Sequence, residues 1–500
     1  MLKWLGSKVD HPLADPKQAR ALVSDLPPND SARALDLITR WLETLADTEG
    51  LKPERLFEIV ELLDSSAKNH HRKILQDYLA MSRQQKSQEQ KLWTLGFKFA
   101  KALGDAYQLC ARHAEGALRK QLPLIVARSL RALALQVKWI MLRYGPFEPR
   151  LWTSIGELYQ YAEKGGFTSA PVTIYPGLHG NGTVQQEYLK VLVLWASSAD
   201  SLSPLKQEIA ERAIAHFADS FRLETTQFAG AHYCFDPARD RPPTRQLGNA
   251  AKKPGLHCFG PGDAHAKLAQ LIPLIEKSET LPAEFNLGRD YPVDVVLAVL
   301  KHLALYWSEK PPARIAQRRA ATTRITVVPS FSQLLDELER EESDALNFSV
   351  PDAESWVVEN ESDNGYGAMV PAATTDWIRV GELIGVQLEG ASGWAVALVR
   401  RVVRDDKRQY HVGIEIISRA ATLVRIAHDA AAAPENAILL SAKPDAQGEV
   451  GALLRAGRFD AGHSLNISVD DQPHLLMPLR MVEAGEDFDL AIYKVLRKET

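Results

Sequence analysis

Seven residues between positions 314 and 365 have the types and the spacing to do chemistry. Arg314, Arg318, Arg319 and Arg324 fall within "ARIAQRRAATTRITVV", with no acidic residue between Glu309 and Asp336. Four guanidiniums with no carboxylate among them make a local anion site. Each can fork two N–H donors onto phosphate oxygens, and each can also lie flat on a purine face. Further along, Asn360, Ser362 and Gly365 follow "SWVVEN", a run that reads as a strand. Strand alternation puts Asn360 and Ser362 on one side, where their side chains can read a base edge or hold an oxygen. Gly365 admits a close approach of backbone. Together the two clusters have the chemistry of a site for an anionic nucleotide.

The rest of the composition narrows the setting. A formal charge of -4 over 500 residues gives no global electrostatic case for binding DNA or an anionic membrane, so the basic site is local. The apolar fraction of 45% and the charged fraction of 24% are those of an ordinary globular protein, and the length predicts two or three domains. Three cysteines, Cys110, Cys234 and Cys258, are too few and too scattered for a disulfide framework and fit a reducing compartment. No secretory signal is visible at the start, and the apolar run "LPLIVARSLRALALQVKWIMLRYG" is interrupted by Arg128, Arg131 and Lys138. It reads as a buried helix rather than a membrane span, and the cytoplasm is the expected location.

The elements that must position the site follow from periodicity. Asp30 or Ser31 caps a helix in which Ala34, Leu37, Ile38, Trp41, Leu42 and Leu45 share one face. Pro53 opens the next, and helical spacing continues through "EPRLWTSIGELYQYAEK" and "SPLKQEIAERAIAHFADSF". The pattern is that of helical hairpins, repeat-like in spacing but without a steady period. Prolines, glycines and charges break it near 223–263, where an irregular insert is expected, and Pro311 and Pro312 end it. Alternation then takes over in "TRITVVPS", "SWVVEN", "WIRVGELIGVQLEG", "GWAVALVRRVVRD" and "YHVGIEII", which predicts an antiparallel sheet or small barrel. The acidic stretch "QLLDELEREESDALNF" is a helical or disordered insertion within it, and a further set of short strands from about Pro434 is either a second β unit or an extension of the first.

"RIAQR" followed by "NESDNG" resembles the paired RxxxR and [D/N]xSxxG motifs of PilZ domains, and the strands from "VGELIGVQLEG" to "VGIEII" resemble the later strands of that barrel. The resemblance covers roughly residues 312–420 and implies cyclic di-GMP as ligand. It implies that Arg314 and Arg318 clasp the phosphates and guanines with Arg319 as neighbour, while Asn360, Ser362 and Gly365 form the facing wall. Because "AATTR" separates the arginines from the strand, Arg324 is a further candidate.

The expected fold class is therefore α+β multidomain. A large all-α N-terminal domain over 1–310 is followed by an Arg-rich linker and first strand at 311–330. A PilZ-like antiparallel β-barrel at 331–425 and a small C-terminal β unit at 426–500 complete the chain.

Other groupings have weaker chemistry. His232, Cys234, His257 and Cys258 are of zinc-ligand type but match no common spacing, so no metal is expected. His70 and His71 fall in a polar helical stretch and read as solvated, and the clusters "DELEREES" and "RDDKR" read as solvated faces and turns. No P-loop, nucleophile elbow, HExxH or CxxC is present, so neither an enzyme nor a cofactor is expected. The sequence predicts a cyclic di-GMP effector whose helical domain meets an unknown protein partner, with no DNA. The alternative is an interaction scaffold whose barrel has lost the nucleotide.

Overall fold

The computed structural model describes residues 11–81, 85–177, 180–245, 255–285, 287, 291–312, 319–342, 353–370, 377–391, 393–407, 409–427, 433–441, 443–469 and 472–497. The chain divides into two compact units, Met1–Ala199 with Pro204–Ala313, and Arg314–Thr500 with Asp200–Ser203. The protein is an α+β multidomain chain, helical in its N-terminal part and built of antiparallel barrels in its C-terminal part.

Ten α-helices make the first unit among the described residues: α1 (Pro16–Ser24), α2 (Ser31–Thr44), α3 (Pro53–Leu79), α4 (Lys86–Arg112), α5 (Leu122–Met141), α6 (Pro149–Lys164), α7 (Val184–Ala196), α8 (Pro204–His216), α9 (Ala264–Ser278) and α10 (Val293–Trp307). Asp30 caps α2 by accepting from the Arg33 amide at 2.9 Å, and the buried face is Ala34, Leu35, Ile38 and Leu42. Pro53 stands in the first turn of α3, where a missing N–H costs nothing.

The basic residues inside the apolar helix α5 are not stranded. Arg128 donates to Glu61 at 2.7 Å and to the Ile174 carbonyl at 2.9 Å, and Lys138 meets both Glu208 and Glu211. Asp64 accepts from the Tyr107 and Tyr175 hydroxyls at 2.6 and 2.7 Å. Burial raises its pKa against the opposing pull of those hydrogen bonds. Among the described residues no helix is long and apolar enough to cross a membrane.

Two sequence expectations fail in this unit. His71 is not solvated: it lies edge-on to Trp139, accepts from the Trp139 indole at 3.1 Å, and burial, with Lys138 adding to it, pushes its pKa down to about 3. Cys234 and Cys258 are not scattered thiols either. Short strands at Tyr233–Phe235 and His257–Gly260 place them directly opposite each other, and they form a disulfide. The zinc-type residues do not converge, since His232 turns to the Ser308 carbonyl and His257 to Glu163. Among the described residues no group of three or more potential ligands is placed to hold a metal.

The second unit holds two closed barrels. The first comprises β1 (Arg319–Pro329), β2 (Glu354–Ser362), β3 (Gly365–Val370), β4 (Leu383–Leu388), β5 (Ala395–Arg404) and β6 (Tyr410–Ser418), closed in the order β5-β6-β3-β2-β1-β4. The second comprises β7 (Thr422–Ala427), β8 (Glu435–Leu439), β9 (Glu449–Arg455), β10 (Leu465–Val469), β11 (Gln472–Ala484) and β12 (Phe488–Arg497), closed in the order β7-β8-β9-β12-β11-β10. The C-terminal strands thus make a barrel of their own and do not extend the first. All neighbours are antiparallel, so short connections suffice. Val358, Ala368 and Val412 form one inward row of the first barrel, and Val424, Leu439, Ala452 and Tyr493 help to fill the second.

The acidic stretch after β1 is helical, the first of the two forms expected of it, and one face of it is packed. It forms helix α11 (Phe331–Glu342), whose Phe331, Leu334, Leu335 and Leu338 recur at helical spacing and are buried. They join Val328, Leu383 and Trp394 of the first barrel and Ile438, Leu453, Phe488 and Leu490 of the second in one core. Only the opposite face of α11 carries the acidic charge. Each of those side chains contributes about 1.5–3 kcal/mol by leaving water, so the helix is a structural wedge between the barrels.

Candidate functional site

Asn360, Ser362 and Gly365 come together on one hairpin. Ser362 and Gly365 are the last paired residues of β2 and β3, with Asp363 and Asn364 as a two-residue loop between them. The Ser362 hydroxyl donates to the Gly365 carbonyl at 3.2 Å and tightens the turn. A side chain at Gly365 would put its Cβ 1.9 Å from the Ile414 carbonyl oxygen of β6. Glycine is therefore demanded here by the neighbouring strand, a reason that the sequence reading had assigned to a ligand.

Strand register extends the site sideways. Ala320, Asn360, Gly367, Gly413 and Arg401 are successive partners across β1, β2, β3, β6 and β5. Ala368 and Val412 are buried inside the barrel, so their chain neighbours Gly367 and Gly413 face outward. The two glycines adjoin on that face, Gly367 buried against the Asn360 side chain and Gly413 half-buried. The Asn360 Oδ1 would lie 2.5 Å from a Cβ on Gly367. One position nearer the hairpin, Arg319 is the partner of Glu361. Asn360 and Ser362 are half-buried and Arg319 is exposed.

The structure therefore brings Arg319, Asn360, Ser362 and Gly365 to one end of the β1-β2-β3 sheet. It does not bring Arg324 there. That residue sits five positions along β1, about 16 Å at strand spacing, opposite Val357, and its guanidinium bonds Ser355 at 3.2 Å. Arg314 and Arg318 lie outside the described residues. Gly367 and Gly413 were missed by the sequence reading. The signal for them was the second glycine of "GYG" and the glycine of "VGIE", which gain meaning only once the strands are registered.

Two exposed carboxylates, Glu361 and Asp363, stand in the hairpin itself, and those on the neighbouring strands are paired. Arg400 donates to Glu415, the partner of Gly365, at 2.6 Å and to Glu483 of the second barrel at 2.9 Å. His411 lies 3.1 Å from Glu359 and 3.3 Å from Asp405. Burial pulls the imidazole pKa down, but those two acceptors outweigh it and hold the pKa above the usual histidine range. Arg419 props the hairpin loop by donating to the Asp363 carbonyl at 3.1 Å. An approaching anion would meet the exposed Arg319, the Asn360 amide and the Ser362 hydroxyl, with Glu361 and Asp363 beside them.

The six-stranded antiparallel barrel that carries the NxSxxG hairpin is a PilZ domain in the later part of the chain. Residues 335–422 match the family model described as the cyclic-di-GMP receptor FimW, middle PilZ domain. Residues 17–227 match the one described as the N-terminal domain of the same receptor. Both halves of the architecture, the helical N-terminal domain and the PilZ barrel, thus match one family in chain order. No curated protein matches the chain.

Proposed function

We propose that this protein is a cytoplasmic cyclic di-GMP effector. The observation that carries the reading is that Arg319 and the hairpin of Asn360, Ser362 and Gly365 lie at one end of the β1-β2-β3 sheet of a PilZ barrel. In this reading Arg314, Arg318 and Arg319 fork onto the phosphates and stack on the guanines, while Asn360 and Ser362 face the ligand from β2. Drawing the arginine stretch onto the ligand repositions the helical unit, which meets the protein partner; the receptor named in the family description supports a binding role over catalysis. The test is calorimetric titration of the full chain with cyclic di-GMP, with GTP and cyclic GMP as controls. Saturable heat with the cyclic dinucleotide alone is expected, and none at millimolar ligand would exclude the reading.

A further inference from the structure

The two barrels have one connectivity. Raising each strand number of the first order by six turns β5-β6-β3-β2-β1-β4 into β11-β12-β9-β8-β7-β10, which is the closed order of the second barrel. The sequence echoes it. "RAATTRI" at 319–325 returns as "RAATLVRI" at 419–426, "GAMV" at 367–370 as "GALL" at 451–454, and "LVRRVV" at 398–403 as "MPLRMV" at 477–482. Even the irregularities agree, since β5 shifts register between Val399 and Arg401 and β11 between Pro478 and Arg480.

This correspondence assigns every position of the outer row a counterpart. Gly451 matches Gly367: a Cβ there would meet Leu440 Cδ1 at 2.9 Å, as one on Gly367 would meet Asn360. The Leu440 amide also bonds the Gly451 carbonyl at 2.9 Å, so Leu440 occupies the place of Asn360. Gly451 pairs with Ile492 and Ile492 with Arg480, as Gly367 pairs with Gly413 and Gly413 with Arg401. The row Asn360–Gly367–Gly413–Arg401 has become Leu440–Gly451–Ile492–Arg480. An amide that could bond a ligand is replaced by a side chain with no polar atom, and the glycine at 413 by an isoleucine at 492. Leu440 packs against the core that α11 shares with both barrels.

We propose that the second barrel is a duplicate of the first whose ligand row has been converted to packing, so that the chain takes its cyclic dinucleotide at the first barrel alone and Asn360 and Gly413 determine which barrel binds. The inference rests on the nucleotide reading above. Its new content is the assignment of the row and the asymmetry between the two copies. Loss of one amide and one glycine suffices for that asymmetry, because a polar ligand edge left facing Leu440 has no partner.

Reciprocal exchange tests it in the full-length chain, by titration with cyclic di-GMP and by thermal melting of the same samples. Asn360→Leu should weaken binding at least tenfold in a chain that still melts cooperatively. Leu440→Asn should leave affinity within twofold and lower the melting temperature by several degrees. Should Asn360→Leu itself unfold, Gly413→Ala supplies the outward-facing change, with the same loss of binding expected. A second class of saturable sites in the wild-type chain, or binding lost on Leu440→Asn in a chain that still melts cooperatively, overturns the inference and leaves the nucleotide reading intact. Absence of binding in the wild-type chain overturns both.

Discussion

The helical unit and the first barrel handle polar side chains in opposite ways. In the helical unit charge is driven inward and closed on itself: Lys138 and Glu208 are both nearly inaccessible and held together, and Asp64 is roofed by two phenols. On the barrel the polar residues stay near the surface, where Asn360 and Ser362 are half-buried and Arg319 is exposed at one end of the sheet. Buried pairs hold a conformation, because losing one partner strands the other. Half-exposed groups on a rigid frame are positioned to exchange water for a ligand. Reading function from polarity thus requires knowing where the polar atoms end up.

The contrast can be broken most violently from the inside. Lys138→Ala takes the ammonium from buried Glu208, which keeps Arg212 at 2.7 Å, and should cost about 3 kcal/mol in urea unfolding. Replacing Lys138 and Glu208 together by methionine should recover most of that loss, which a mainly exposed pair would not do. On the barrel, Arg319→Ala should leave the melting curve in place and weaken cyclic di-GMP roughly ten- to a hundredfold by calorimetry, the loss expected of a charge-assisted hydrogen bond.

The two histidines sharpen the comparison through pH. His71 has its pKa depressed to about 3, so the unfolded chain binds more protons below the ordinary value of 6.5. The stability it contributes is complete above 6.5 and is lost as the pH falls toward about 3. His411 is shifted the other way, so its contribution is complete below 6.5 and is lost as the pH rises through its elevated pKa. Melting across this range should show a loss on the acid side that His71→Gln removes. The smallest effect belongs to Arg324→Ala, which should change nucleotide affinity less than twofold, since that guanidinium is engaged with Ser355 away from the hairpin.

Much of the frame could be read from the chain. The helical face of α2 and the strands β1, β2, β5 and β6 followed from spacing alone, as did the hairpin residues as a polar cluster. Other parts were hidden for physical reasons. Strand β3, "GYGAMV", carries two glycines and so little side-chain pattern that alternation cannot reveal it. The stretch of α11 read as either helical or disordered because Glu and Asp crowd its outer face, and its packed inner face of Phe331, Leu334, Leu335 and Leu338 was not recognised. The pairing of Cys234 with Cys258 depends on a strand register across a break of 24 residues, which no local pattern encodes. The outer row of Gly367 and Gly413 was invisible for the same reason: it runs across strands, and sequence runs along them.

Arg400 carries a last implication. It lies at the bulge of β5, and its one guanidinium serves Glu415 beside the hairpin and Glu483 on the neighbouring barrel at the same time. Two anions share a single cation, so whatever draws Glu415 aside frees N–H donors for Glu483, and whatever pulls Glu483 away returns them. The lashing between the barrels and the rim of the hairpin are therefore tuned by one side chain, and neither can be altered in isolation.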